Sequence, residues 1–179
     1  RAKLMQGCPT GAMLAVYLAP EEIQGLIERW NQENSSLEVR LSLAAINSTQ
    51  QCVISGDVMA IESLADLLNS RNTLYHRLNT SHAFHSHLME SILDEFTSEV
   101  KSVNLNPPKI PVVSNVTGCW LSPEEAVDPD YWTKHLRHTV YFAQGVQQLL
   151  KNPDIIALEV GQGATLSQLA KKMASSSNH

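Results

Sequence analysis

The chain has 179 residues, 43% hydrophobic and 17% charged, which suffices for one ordinary domain or two small subdomains sharing a core. Its net charge of −5 argues against nucleic acid as the main partner, because neutralising phosphates needs a basic surface. No run of about 18 apolar residues exists to span a membrane. The start, Arg1-Ala2-Lys3-Leu4-Met5-Gln6, is not a signal peptide and lacks an initiator Met, so a preceding segment is expected. The three cysteines, Cys8, Cys52 and Cys119, are odd in number and widely spaced. They suggest neither a disulfide framework nor a zinc motif, and read as reduced thiols of a cytoplasmic protein.

In chain order, Gly11 to Leu18 is a short apolar run that predicts a buried strand. Ala19-Pro20-Glu21-Glu22 opens a helix, with Pro and acids in its first turn, and Ile23, Leu26, Ile27 and Trp30 share one face. Alternation from Leu37 through Ile46 predicts a strand, Asn47 to Gln50 a turn, and Gln51 to Gly56 its hairpin partner. Asp57 can cap the next helix, whose face is Ile61, Leu64, Leu67 and Leu68. Thr73 to Leu78 is a fourth strand. The order β-α-β-β-α-β is the ferredoxin-like unit, here about residues 10–79.

A different rhythm follows. Met89, Ile92, Leu93, Phe96, Val100 and Val103 form the stripe of a long amphipathic helix, stopped by Pro107-Pro108. Strands are expected near 110–116 and 155–160, the second running through Gly161-Gln162-Gly163 into a helix from Ala164 to Met173. Helices are expected at Tyr131 to Arg137 and Phe142 to Leu150, and a frayed tail at 175–179. The class is thus α/β (α+β). Two strands are too few for a stable second sheet, so its other strands must lie outside these residues.

Between the fourth strand and the long helix stands Thr80-Ser81-His82-Ala83-Phe84-His85-Ser86-His87. Its histidines admit three readings. They can be ordinary polar loop residues. They can ligate a metal through His82, His85 and His87, although the spacing is not a familiar zinc pattern. Or one can be a catalytic base, since a neutral imidazole takes a proton from a hydroxyl nucleophile and returns it to a leaving group.

Ser81-His82-Ala83-Phe84-His85-Ser86 resembles the signature of acyltransferase domains of polyketide synthases. The likeness extends to Arg1 to Gln6, Gly11 to Val16, Ala44 to Ser48, Val53 to Asp57, Pro111 to Gly118, Tyr131-Trp132, His135-Leu136-Arg137 and Glu159-Val160-Gly161, all in the family's order. Gln162 departs from the family's usual Pro. The resemblance implies a helix end of the large subdomain at 1–9, a ferredoxin-like small subdomain at 10–79, and the C-terminal part of an α/β-hydrolase-like core at 80–174.

By the same resemblance, His85 is the base of a Ser-His dyad that moves malonyl from malonyl-CoA, through a seryl ester, to the phosphopantetheine thiol of an acyl carrier protein. Arg1 holds the free carboxylate of malonate. His82 and Phe84 set acyl specificity, His-Ala-Phe-His being the malonyl pattern. The backbone carbonyl of His135 orients His85. No cofactor or metal is implied for the chain itself. The expected partners are the carrier protein, the N-terminal half of the acyltransferase and a neighbouring ketosynthase domain, with no nucleic acid or membrane. The family's nucleophile elbow is missing: no Gly-x-Ser-x-Gly occurs among the 179 residues. The chain alone is therefore expected to be inactive. The alternative is a non-catalytic carrier-docking module with a locally basic face, for which Lys134, Arg137, Lys171 and Lys172 are candidates.

Overall fold

The first helix, α1 (Ala2–Gln6), precedes β1 (Ala12–Val16), α2 (Pro20–Glu33), β2 (Leu41–Ser48), β3 (Gln51–Gly56), α3 (Val58–Ser70) and β4 (Tyr75–Arg77) in this computed structural model, which describes residues 1–176. The four strands form one antiparallel sheet in the order β2-β3-β1-β4. β1 is central because it is apolar at every position and so tolerates burial on both faces. Ala12, Leu14 and Val16 face a core shared with Ile23 and Ile27 of α2 and with Ile61, Leu64 and Leu68 of α3. Met13 and Ala15 point the other way, into a second cluster with Ala44 and Val53, against which Phe84 packs.

That second face receives the histidine segment. The Gly11 amide donates to the Ser81 carbonyl at 3.1 Å. A Cβ at Gly11 would lie 2.6 Å from Ala83 Cβ and 2.9 Å from both the Gly56 carbonyl oxygen and Leu88 Cδ1. Glycine is required there by close approach. Gly11→Ala is expected to lower stability in urea unfolding by about 1–3 kcal/mol, the usual cost of overpacking; an unchanged midpoint would contradict this contact.

The remaining helices are α4 (Leu93–Lys101), α5 (Pro123–Val127), α6 (Pro129–Arg137), α7 (Phe142–Leu150) and α8 (Thr165–Ser176). Ala143 and Val146 of α7 and Met173 of α8 join the core of the sheet and α2–α3. Of the expected tail, Ser175 and Ser176 continue α8, and the rest lies outside the described residues.

Several expectations need correction. β2 begins at Leu41, not Leu37, which is 51% exposed and has no strand partner to bury it. Asp57 occupies the N-cap position of α3 but makes no cap bond; its Oδ2 accepts instead from the Arg40 amide at 2.8 Å. The long helix is split into a 3₁₀ segment, His87–Ile92, followed by α4. Residues three and four apart share a face in either geometry, so Met89, Ile92 and Phe96 are buried without a continuous α-helix. Ser86 starts the 3₁₀ segment by accepting from the Leu88 amide. Neither later strand forms. Residues 110–116 contribute one isolated bridge, Val113 to Trp120. Residues 155–160 have no strand pairing, and Ile156, Leu158 and Val160 are 92%, 83% and 90% exposed. An apolar run becomes a strand only beside a partner, and among the described residues none lies alongside.

Candidate active site

His85 is carried on the turn between β4 and the 3₁₀ segment, at φ +58°. Left-handed backbone in a non-glycine residue costs of order 1–3 kcal/mol and persists only where its surroundings hold it. The holding groups are identifiable. Ser86 is fully buried, its hydroxyl donating to the Ala83 carbonyl at 2.6 Å while its oxygen accepts from Leu88. On the other side, His87 Nε2 lies 2.9 Å from Asp57 Oδ2 at the start of α3, a close approach without hydrogen-bond geometry.

The half-buried His85 ring donates from Nδ1 to the backbone carbonyl of His138 at 2.8 Å. This corrects the expectation of His135 as the orienting carbonyl. The carbonyl of His135 belongs to the last turn of α6, whereas His138 has left the helix with extended backbone (ψ 165°), which turns its carbonyl aside. Thr139 and Val140 then lie along the edge of β2: Val140 donates to Ala44 and accepts from Ile46, both at 2.9 Å, and the Thr139 hydroxyl donates to Leu43. The sheet edge thereby fixes the carbonyl that fixes the histidine. With the proton on Nδ1, Nε2 presents a lone pair.

Burial pushes the His85 pKa down to about 4; the bond to His138 raises it, and the charges of Arg1 and Arg137 lower it further. The ring is therefore neutral near pH 7 and able to accept a proton.

Arg1 precedes α1, and its NH1 donates to Nδ1 of His135 at 3.3 Å. His82 is 5% exposed; its Nδ1 is 2.9 Å from the Ser81 hydroxyl, and its ring stacks on Phe84 with centroids 6.1 Å apart. Phe84 is half-buried and touches both the Met13 cluster and the cluster of Cys8, Met89, Ile92, Phe96 and Leu136. The three histidines of the segment thus face three different partners: Ser81 and Phe84, the His138 carbonyl, and Asp57. That divergence does not suit a shared metal ion.

Sequence reasoning missed the His138 carbonyl and the bracing by Ser86. A backbone acceptor leaves no mark in residue type; its only signal was the run from Leu136 to Val140, where a helix had to give way to an extended segment.

The model of the acyl transferase domain family matches residues 1–178. The chain belongs to this family. It also matches the acyltransferase portion of polyketide synthases. Over 172 residues it is 36% identical to the spectinabilin polyketide synthase system protein NorB of Streptomyces orinoci, covering 96% of this chain and 8% of that protein. The acyl transferase domain of ZmaA superposes with a TM-score of 0.87 at 39% identity, covering 97% of this chain and 38% of the other. The malonyl CoA-acyl carrier protein transacylase of Burkholderia pseudomallei gives a TM-score of 0.82 at 28% identity, covering 97% of this chain and 59% of the other. This acyl transferase chain therefore spans a small part of its synthase relatives and between 38% and 59% of these solved acyltransferases.

Proposed function

We propose that this chain forms the base-carrying part of an acyltransferase that moves malonyl from malonyl-CoA to the phosphopantetheine thiol of an acyl carrier protein. The observation that carries the proposal is the His85–His138 bond, which leaves Nε2 of a neutral imidazole unprotonated. The nucleophilic serine is supplied by a Gly-x-Ser-x-Gly elbow outside these residues. Its hydroxyl proton passes to Nε2 as its oxygen attacks the thioester carbonyl. The thiolate of CoA leaves and takes that proton from His85. In the second half, Nε2 takes the proton of the pantetheine thiol, the sulfur attacks the seryl ester, and the proton returns to the serine.

The sheet at 10–79, with strand order β2-β3-β1-β4, is read as the ferredoxin-like small subdomain. Residues 1–9 and 80–174 are read as parts of the large subdomain. Segments 110–116 and 155–160 complete a sheet whose other strands lie beyond this chain; the exposure of Ile156, Leu158 and Val160 supports this.

Arg1 receives the malonyl carboxylate. Among the described residues no carboxylate pairs with it, so its charge is uncompensated near His85. Arg1→Met, in the acyltransferase domain that carries this chain, is expected to reduce kcat/KM for malonyl-CoA by roughly 10–150-fold, the worth of hydrogen bonds to a charged group. Acetyl-CoA, which lacks the carboxylate, should be affected much less. Equal losses on both donors would remove Arg1 from the carboxylate site. The proposal as a whole is tested by transfer of labelled malonyl to a carrier protein by that domain; no loading would overturn it.

A further inference from the structure

We propose that the side chain of His135 is a positioning residue, an unprotonated ring acceptor that fixes the Arg1 guanidinium for the malonyl carboxylate. This rests on Arg1 being the carboxylate-binding residue.

A guanidinium has five N–H donors and no acceptor. Its contact with His135 Nδ1 at 3.3 Å therefore requires a lone pair on that nitrogen. A protonated ring would present N–H to N–H and repel the cation. Burial, together with the proximity of Arg1, lowers the pKa of the ring and keeps it neutral and able to accept.

The acceptor is itself immobilised. His135 follows Tyr131 and Trp132 on α6 at helical spacing, and its ring lies 6.3 Å and 5.9 Å from theirs. Tyr131 is 5% exposed and donates to the Ser114 hydroxyl at 2.8 Å. Trp132 donates from Nε1 to the Ala126 carbonyl at 3.0 Å. Two anchored aromatics thus hold the ring. Leu4 and Met5 of α1 pack with Trp132 and Leu136 of α6 in one apolar cluster, which places Arg1 beside His135.

Occupying NH1 has a consequence for the rest of the fork. It sets the rotation of a long, flexible side chain and leaves the edge formed by Nε and NH2 for a bidentate carboxylate. The nearby Arg137 is committed elsewhere, to Glu90 at 2.9 Å. The arrangement assigns His135 a part in preference for donors with a free carboxylate, separate from proton transfer at His85.

The test uses the acyltransferase domain that carries this chain, with malonyl-CoA and acetyl-CoA as donors. His135→Leu is expected to raise KM for malonyl-CoA about tenfold with kcat little changed, the signature of lost uniform binding, and to lower the malonyl-to-acetyl preference by a similar factor. His135→Asn, which keeps an acceptor, should recover most of that preference. A His135→Leu variant with unchanged preference, or a His135→Asn variant as impaired as Leu, would overturn the inference. An independent readout is the NMR titration of the His135 ring in the parent domain and in Arg1→Gln. Removing the cation should move the titration to higher pH; an unmoved titration would show that the contact does not exist. Should the titration move while Arg1→Met leaves the preference intact, the carboxylate role of Arg1 fails and takes this inference with it. Should Arg1→Met abolish the preference and His135→Leu leave it intact, only the inference fails.

Discussion

Replacing His85 by asparagine in the acyltransferase domain that carries this chain is expected to lower kcat/KM for malonyl transfer about 100–10,000-fold, the usual range for losing a general base. Asparagine is chosen because it tolerates the left-handed backbone that His85 adopts at φ +58°, so the turn survives while the base is lost. Thermal stability should change little, because the segment is held by Gly11 and Ser86 rather than by the His85 ring. A fall in rate accompanied by a large fall in stability would point to structure, not chemistry. The pH dependence gives a second check. As the proposed base, His85 acts in its neutral form, and its pKa is pushed down to about 4, so activity should survive acidification through the usual histidine range. Loading rates are expected to hold from neutrality to about pH 5 and to fall only near pH 4, provided the rest of the domain remains folded. An acid limb centred near an ordinary histidine value of about 6.5 would mean that burial does not act on His85 as described.

The second large effect concerns choice of acyl group. Phe84 lies one residue before the base, stacks on the buried His82, and is gripped from both sides by apolar clusters. The ring is expected to fill the space that a methyl branch on the donor would need. Phe84→Ser should therefore raise the methylmalonyl-to-malonyl ratio of kcat/KM by about 10–200-fold, the range a methyl-sized discrimination supports. His82 is buried and stacks on Phe84, so its effect on the ratio is expected to run through the Phe84 ring. Competition between malonyl-CoA and methylmalonyl-CoA for one carrier protein measures the ratio directly. An unchanged ratio in a folded Phe84→Ser domain would mean that selection lies elsewhere.

What was legible in the sequence follows from where the determinants sit. The β-α-β-β-α-β run could be read because each element carries its own signal: an unbroken apolar run in β1, and helical spacing in Ile61, Leu64 and Leu68. His85 was found by resemblance, since three histidines in a short loop fit several chemistries. The expected strands at 110–116 and 155–160 did not form, because apolar content marks a segment for burial but does not supply its neighbour. The split at Ile92 was hidden because 3₁₀ and α geometries bury the same stripe. The His138 carbonyl was missed by three positions because it depends on where α6 ends and on the attachment of Val140 to the β2 edge, both tertiary facts.

On the proposed function, this chain holds the base while the nucleophile lies outside it. Intact-mass analysis followed by peptide mapping, after exposure to malonyl-CoA, tests it most directly. The domain that carries this chain should gain one malonyl ester, mapped to the serine of a Gly-x-Ser-x-Gly elbow outside these 179 residues, and the 179-residue chain by itself should gain none. A malonyl ester on any residue of this chain would contradict the account.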